Sequence, residues 1–481
     1  MVQDELLKIF DNNLISRLAD KAKDQIEYWD IRASSKEGSS VEFTDNKSKE
    51  ISAYQINKCG IRTFLNGGWG FLVLENPNKQ DIFNKFDEAI KLAKFSESMV
   101  KHNFKIKESD SINERFEIKS KKNLLDVGIE EKIELVKHHE KTSSTFNSNI
   151  KNTHTFYYDV TAQTIFVNSF GSEIKQDLSL LRIYNEVYAA KNGLVQRGRN
   201  SVGGLGGFEI TTTDKAKKIS KKSAKQATEL LDAKSPIGGS FTLIMDPKLT
   251  GTFIHEAFGH ACEADHILNK ESILEGKIGK KVALDKVTII DDPTMGKGKE
   301  LGLPYELYGS YFVDDEGIPA QKLRIIEDGI LKNYLHNLET ASRMGEKPNG
   351  HGRASSSTSK PQVRMGITLL QPGDWKLDEI IEETNEGILC EDFQYGYTDP
   401  TSGNFQFKCK MSYKIENGEK RELMRDVALS GMTLEVLNRI SAIGNKISYS
   451  DGMCGKGGQG VRVCDGGPYI RVEDITVGGL G

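Results

Sequence analysis

The stretch Phe241-Thr-Leu-Ile-Met245-Asp246-Pro247-Lys-Leu-Thr-Gly-Thr-Phe-Ile-His255-Glu256-Ala257-Phe258-Gly259-His260 turns from a strand into a helix at Asp246. Phe241 to Met245 is a short apolar run suited to a buried strand. Asp246 is a good N-cap, because its carboxylate accepts from the free N–H groups of a first helical turn. Pro247 suits the first helical position, where its missing N–H costs nothing. The helix that starts there carries Leu249, Phe253, Ile254 and Ala257 as apolar contacts, and on it sit His255, Glu256 and His260. Two imidazoles and a glutamate on one helix are the equipment of zinc hydrolases: nitrogen ligands for the ion and a carboxylate to move protons.

The spacing is unusual. Histidines four apart lie about 40° apart around a helix and share a face, whereas a spacing of five sets them about 140° apart. Convergence on one ion then requires a distortion, which a single π-type insertion would supply. Gly259, directly before His260, is the residue best able to permit it. The helix is therefore predicted to be irregular between Glu256 and Glu263. Two histidines also leave a catalytic zinc short of ligands, since it takes three protein groups and keeps one position for water. The remaining candidates are His266, Glu263, Asp265 and a residue from elsewhere. Cys454 lies in the glycine-dense Gly452-Met-Cys-Gly-Lys-Gly-Gly-Gln-Gly460. A thiolate is a soft ligand, but a lone cysteine is more often a small buried hydrophobe.

Outward from this stretch, the chain after Ser240 reads as short strands with turn signals. Asp328-Gly329 and Asn417-Gly418 each separate alternating stretches and predict hairpins. Tyr469–Val477 also alternates, and helices are expected at Asp246–Leu268, Lys376–Glu386 and Leu434–Ser441. Upstream, residues 3–27 have the apolar period of an amphipathic helix. Glu27–Ser34 and Ser40–Thr44 are strand candidates, Cys59–Leu74 a hairpin, and Asp81–Ser96 a helix. Residues 101–126 are polar and Lys-rich and read as a linker. Ile129–Ser144 is a helix with Asp126 as its cap, followed by strands Thr155–Val160, Thr164–Asn168 and Glu173–Ala190. The glycine-rich run Gly198–Gly207 reads as a flexible loop, or else as backbone that something approaches closely. No Gly-Lys-Ser/Thr follows it, so it is not a phosphate loop. Lys215–Ala233 is a helix that closes this part.

The expected fold is α+β: N-terminal α/β lobes over 1–105 and 125–233, then a domain over 235–481 rich in antiparallel sheet and carrying the metal-site helix. A chain of 481 residues is long enough for two or three cores. With 37% hydrophobic and 28% charged residues and a net charge of -4, it has no basic field for nucleic acid. The Lys-rich stretches near 101–122 and 215–225 are expected to be solvated surface. No run approaches the roughly 20 apolar residues of a membrane span, and the acidic N-terminus is unlike a signal peptide. The six scattered cysteines read as reduced thiols, and the expected location is cytoplasmic.

Several stretches after residue 235 carry a family resemblance. They are His255–Asp265, Gly309-Ser-Tyr-Phe-Val-Asp-Asp-Glu-Gly-Ile-Pro319, Glu327-Asp-Gly-Ile-Leu-Lys332, Asn349-Gly-His-Gly-Arg353, Thr401-Ser-Gly-Asn-Phe405, Cys454-Gly-Lys-Gly-Gly-Gln459 and Val472–Gly479. Their order and composition resemble the TldD/PmbA metallopeptidases, specifically the TldD branch. The resemblance implies metal ligands at His255, His260 and Cys454, with Glu256 as the catalytic carboxylate and no further cofactor. It also implies a homodimer, or a heterodimer with a related non-catalytic subunit, enclosing a cavity that admits unfolded peptide. The metal expected is Zn2+, with iron as the other candidate, polarising water and the scissile carbonyl while Glu256 serves as general base. Glu263 and Asp265 are expected to orient the imidazoles or to be plain surface acids. His351 and Arg353 read as a polar loop. Peptide is expected to bind as an added strand at a sheet edge. The rival reading is a non-catalytic subunit that binds metal or peptide.

Overall fold

The strands Tyr28–Thr44 and Ile150–Asn168 pair antiparallel over most of their length. The two come from stretches on either side of residues 101–126, so the N-terminal half is built around a shared sheet. Its order is Glu306–Leu307, Leu194–Leu205, Glu173–Lys191, Ile150–Asn168, Tyr28–Thr44, Lys47–Leu65 and Gly68–Glu75. The helices Asn12–Ala22 and Lys79–Glu97 cover one part of this sheet, and Ile129–Ser144 and Asp214–Glu229 another. The structure, a computed structural model, describes residues 3–478 except 297 and 299. Residues 1, 2 and 479–481, at the ends of the outermost expected domains, lie outside the described residues, and so does Gly479 of the last family-like stretch.

Several local expectations change. The helix expected over 3–27 is two, Gln3–Lys8 and Asn12–Ala22, because Asp11 starts the second by accepting from Leu14 N at 2.9 Å. The two strand candidates at 27–44 are one continuous strand, since both neighbouring strands hydrogen-bond along it. The linker 101–126 contains the strand Asn113–Glu117, which pairs parallel with Glu173–Lys191. Asp126 lies in a short turn, and helix Ile129–Ser144 starts after Gly128 without a side-chain cap. The glycine run is mostly the strand Leu194–Leu205 rather than a flexible loop. Close approach is why it needs glycine: a Cβ on Gly198 would stand 1.9 Å from Ser223 O on the packed helix.

The C-terminal half is α+β with antiparallel pairing dominant. Strand Gly239–Met245 pairs with Glu386–Asp399 and with Ile470–Gly478. Ala428–Met432 and Asn404–Glu416 continue that path, and Asn404–Glu416 returns to Glu386–Asp399, closing a barrel. A second sheet runs Ile330–Leu331, Leu323–Glu327, Ile289–Asp291, Ile367–Leu370, Gln459–Gly467 and Ser448–Lys456. The helix Pro247–Phe253 leaves the barrel and packs between it and this sheet. Phe253 meets Phe405 of the barrel with ring centroids 5.2 Å apart. On its other side a Cβ on Gly251 would lie 2.8 Å from Gly466 N, so the helix rests directly on the sheet. Leu249, Phe253, Ile254, Ala257 and Phe258 bury here with Met365, Leu370 and Phe407 in the largest apolar core.

Candidate metal centre

Asp246 accepts from Leu249 N at 2.8 Å and Pro247 opens the helix, as the local chemistry predicts. The helix is α-helical only to Phe253. Ile254–Gly259 is a π-helical turn, in which His260 N–H donates to His255 O, and His260–Cys262 tightens into a 3-10 turn. The wider turn carries the five-residue spacing, so the two imidazoles meet with centroids 5.2 Å apart and rings at 90°. Thr433 Oγ1 donates to Ala257 O at 3.0 Å, giving that carbonyl of the distorted turn a partner. Gly259 has φ -59, an ordinary helical value, so its backbone freedom is not what the turn uses. A Cβ there would lie 2.1 Å from Met365 Sδ. Glycine makes room for the core.

Cys454 comes from the strand Ser448–Lys456, paired residue by residue with Gln459–Gly467. Its Sγ lies 3.3 Å from His260 Nε2. One ligand atom from each of His255, His260 and Cys454 falls within 4.8 Å of the others. The buried Arg364 guanidinium donates to the carbonyls of Cys454 and Gln459, which pins this hairpin end. Behind the imidazoles stand two carboxylates. His260 Nδ1 is 3.0 Å from Glu263 Oε2. His255 Nδ1 is 2.8 Å from Asp465 Oδ1, at an angle too bent for a hydrogen bond. His255 Nε2 is buried and has no hydrogen-bond partner among the described residues. An orphaned imidazole nitrogen beside a thiol and a second imidazole is a donor set that fits a soft or borderline divalent cation.

The electrostatics agree with that fit. Burial pushes the Cys454 thiol up, but His255 and His260 outweigh it and bring it down to about 5. Burial likewise opposes ionisation of Glu263, and His260 and Lys456 overcome it, to about 2. Glu263 is fully buried, so it belongs to the site rather than to the surface. Lys456 Nζ lies 2.9 Å from Glu263 and 2.8 Å from Asp265, which places an ammonium between the acids of the Glu263, Asp265 and His266 cluster. The carboxylate of Glu256 is 3.7 Å from His260 Nε2 and partly exposed, on the wall of a cavity of about 310 Å³. His351 and Arg353 are elsewhere: His351 is buried against Asp291 and Asn349, and Arg353 holds the carbonyls of Met365 and Arg462. Both sit in buried structure around the short strand Gly352–Arg353, not in a polar loop. Asp465 and Lys456 escape sequence reasoning because their partners are some two hundred residues away. The only local signal was the glycine-dense segment around Lys456.

The profile of the PmbA/TldA metallopeptidase C-terminal domain matches residues 238–479, that of the central domain residues 122–231, and that of domain 1 residues 29–93. A metalloprotease of Methanothermobacter thermautotrophicus is 35% identical, covering 98% of this chain and 99% of its own. One of Methanocaldococcus jannaschii is 37% identical over 92% and 96%. A protein of Saccharolobus solfataricus named zinc metalloprotease TldD homolog is 28% identical over 94% and 96%. The solved structure of TldE from Thermococcus kodakarensis superposes with a TM-score of 0.74 at 18% identity, over 97% of this chain and 100% of that one, and so shares the fold.

Proposed function

This chain belongs to the PmbA/TldD metallopeptidase family, and from that premise we propose that it cleaves peptides at a divalent metal held by His255, His260 and Cys454, with Glu256 as general base. The observation that supports the ligand set most directly is the convergence of the three donor atoms beside the π-helical turn, with both His255 nitrogens lacking a hydrogen-bond partner among the described residues. Bound there, the metal supplies Lewis acidity, which makes water a better nucleophile at neutral pH and polarises a carbonyl. The protein does the rest. Glu256 takes the proton of the attacking water and hands it to the amine nitrogen that leaves. Glu263 hydrogen-bonds the outer nitrogen of His260, and Asp465 faces that of His255 at 2.8 Å as a charge contact, which favours both rings aiming inward.

The substrate backbone adds to the outer edge of Ser448–Lys456, the end strand of its sheet, which sets the scissile bond beside Cys454. The intact His-Glu and Cys set supports reading the chain as one of the TldD-type, catalytic branch. Zinc is the metal of choice, in line with the name of the Saccharolobus relative, and iron the alternative. Unfolded peptide as substrate, a dimer with an identical or related chain, and a cytoplasmic location complete the proposal. The substrate and the dimer rest on the family resemblance, and the location on the scattered free cysteines. Among the described residues, no helix is long and apolar enough to cross a membrane.

The test is Glu256→Gln in metal-loaded protein. Peptide cleavage should fall by about 10²–10⁴-fold, the usual share of a general base, while the metal content, measured by mass spectrometry, stays at the wild-type level. Cleavage by the wild type should stop with a chelator and return with zinc. Undiminished cleavage by the loaded variant removes Glu256 as the base.

A further inference from the structure

The cavity beside the candidate metal centre is lined by six cationic side chains: Arg182, Arg197, Arg199, Lys215, Lys248 and Lys410. Their acidic partners are three carboxylates, each shared by two cations. Asp451 faces Arg182 at 2.9 Å and Lys215 at 3.6 Å. Glu186 faces Arg197 at 3.0 Å and Arg199 at 3.7 Å. Asp392 faces Lys248 at 3.0 Å and Lys410 at 2.9 Å. With Glu256 and Asp465 on the same lining, six cations face five carboxylates, so the cleft keeps a net positive charge in a chain whose formal net charge is -4. The other acids on the lining are committed, Asp465 to His255 and Glu256 to the proposed proton transfer. Charge concentrated in a cleft acts on a ligand more strongly than the same charge on an open surface.

Two of the six are held loosely and point to the recognition groups. Lys215 and Arg199 have the longest ion pairs of the set, and their side chains are 43% and 39% exposed. Arg199 also lies over the Tyr184 ring at 4.8 Å, which steadies the guanidinium plane while leaving its edge free. A guanidinium edge binds a carboxylate through two parallel hydrogen bonds.

Building on the peptidase reading above, we infer that this wall selects substrates carrying a carboxylate close to the scissile bond, with Arg199 and Lys215 as its specificity-determining residues. The carboxylate is either an acidic side chain or the free C-terminus of the peptide. Short quenched fluorescent peptides that differ only by Glu against Gln at successive positions, each with a free or an amidated C-terminus, are given to the zinc-loaded full chain. At one position the carboxylate twin should be favoured in kcat/KM by about tenfold, the effect of one well-made charged contact. A preference abolished by amidation assigns the C-terminus, and one that survives amidation assigns a side chain. Added salt should shrink the preference, and Arg199→Gln and Lys215→Gln should each bring the ratio towards one, with Arg199→Lys keeping part of it. Equal kcat/KM for all twins in the wild type overturns the inference, as does a preference untouched by both Gln variants. Should the loaded protein cleave no peptide at all, the peptidase reading fails on its own. Fluorescence anisotropy with loaded Glu256→Gln then decides the wall, tighter binding of the carboxylate twin supporting it and equal binding overturning it.

Discussion

Asp465 stands 2.8 Å behind His255 Nδ1 as Glu263 stands 3.0 Å behind His260 Nδ1, and Glu263 takes Lys456 as well. An imidazole that binds metal through one nitrogen is oriented by what holds the other. Replacing Asp465 by Asn keeps the shape but removes the charge. Metal affinity in Asp465→Asn is expected to fall by about 10–100-fold, measured by competition with a metal buffer. An unchanged affinity would mean that the buried turn alone aims the ring. At this scale His255, Glu256 and His260 were legible from spacing and residue type. Cys454 was one candidate among several until the resemblance singled it out, because a single cysteine among glycines carries no geometry of its own. Asp465 was illegible: nothing in Cys464-Asp465-Gly466 shows which helix its strand lies under.

The element that makes the site is the π-helical turn Ile254–Gly259. Its existence was legible, since histidines five apart cannot share an ion on a regular helix. Its cause was not. The sequence pointed to the flexibility of Gly259, whereas the fold uses its lack of a side chain beneath Met365. Gly259→Ala should therefore be costly despite the helical φ: overpacking takes about 1–3 kcal/mol of stability and lowers metal affinity by shifting the turn. Met365→Ala in the same chain should restore part of both, read by thermal unfolding and metal titration. If Gly259→Ala were harmless by itself, the steric account of the turn would be wrong. The glycine run 198–207 teaches the same lesson with the opposite local outcome. Glycines allowed a flexible loop or a close approach, and the chain there is mostly a strand whose glycines let a helix and Tyr305 come close.

At the scale of the whole molecule, ion pairs tie the N-terminal sheet to the C-terminal half. Arg62, buried on the strand Lys47–Leu65, reaches Asp30 beside it at 2.9 Å and Glu316 at 2.8 Å. Arg62→Met would leave two buried carboxylates without their cation and should cost about 3–5 kcal/mol in denaturant unfolding. Arg182 of the N-terminal sheet meets Asp451 on the strand that bears Cys454. Burial opposes ionisation of Asp451, yet Lys215 and Arg182 prevail and bring its carboxyl from 3.8 down to about 2. A folded-state value below the unfolded one adds stability above the unfolded value and loses it as the pH falls through the folded value. Asp451→Asn should thus be less stable than wild type by roughly 2 kcal/mol near neutrality. The gap should close between about pH 4 and pH 2, as followed by unfolding at each pH.

By itself, the sequence determined the hairpins at Asn-Gly and Asp-Gly, the capped start of the metal helix, and the need for that helix to distort. These follow from backbone chemistry and periodicity within a dozen residues. Only the tertiary structure decided which distant groups meet there: Cys454 and Asp465 against the histidines, Lys456 between the acids, and a cationic wall drawn from both halves of the chain. Those contacts depend on how a closed barrel and a second sheet clamp one helix. That packing is set by the shape of the whole core, which no local pattern encodes.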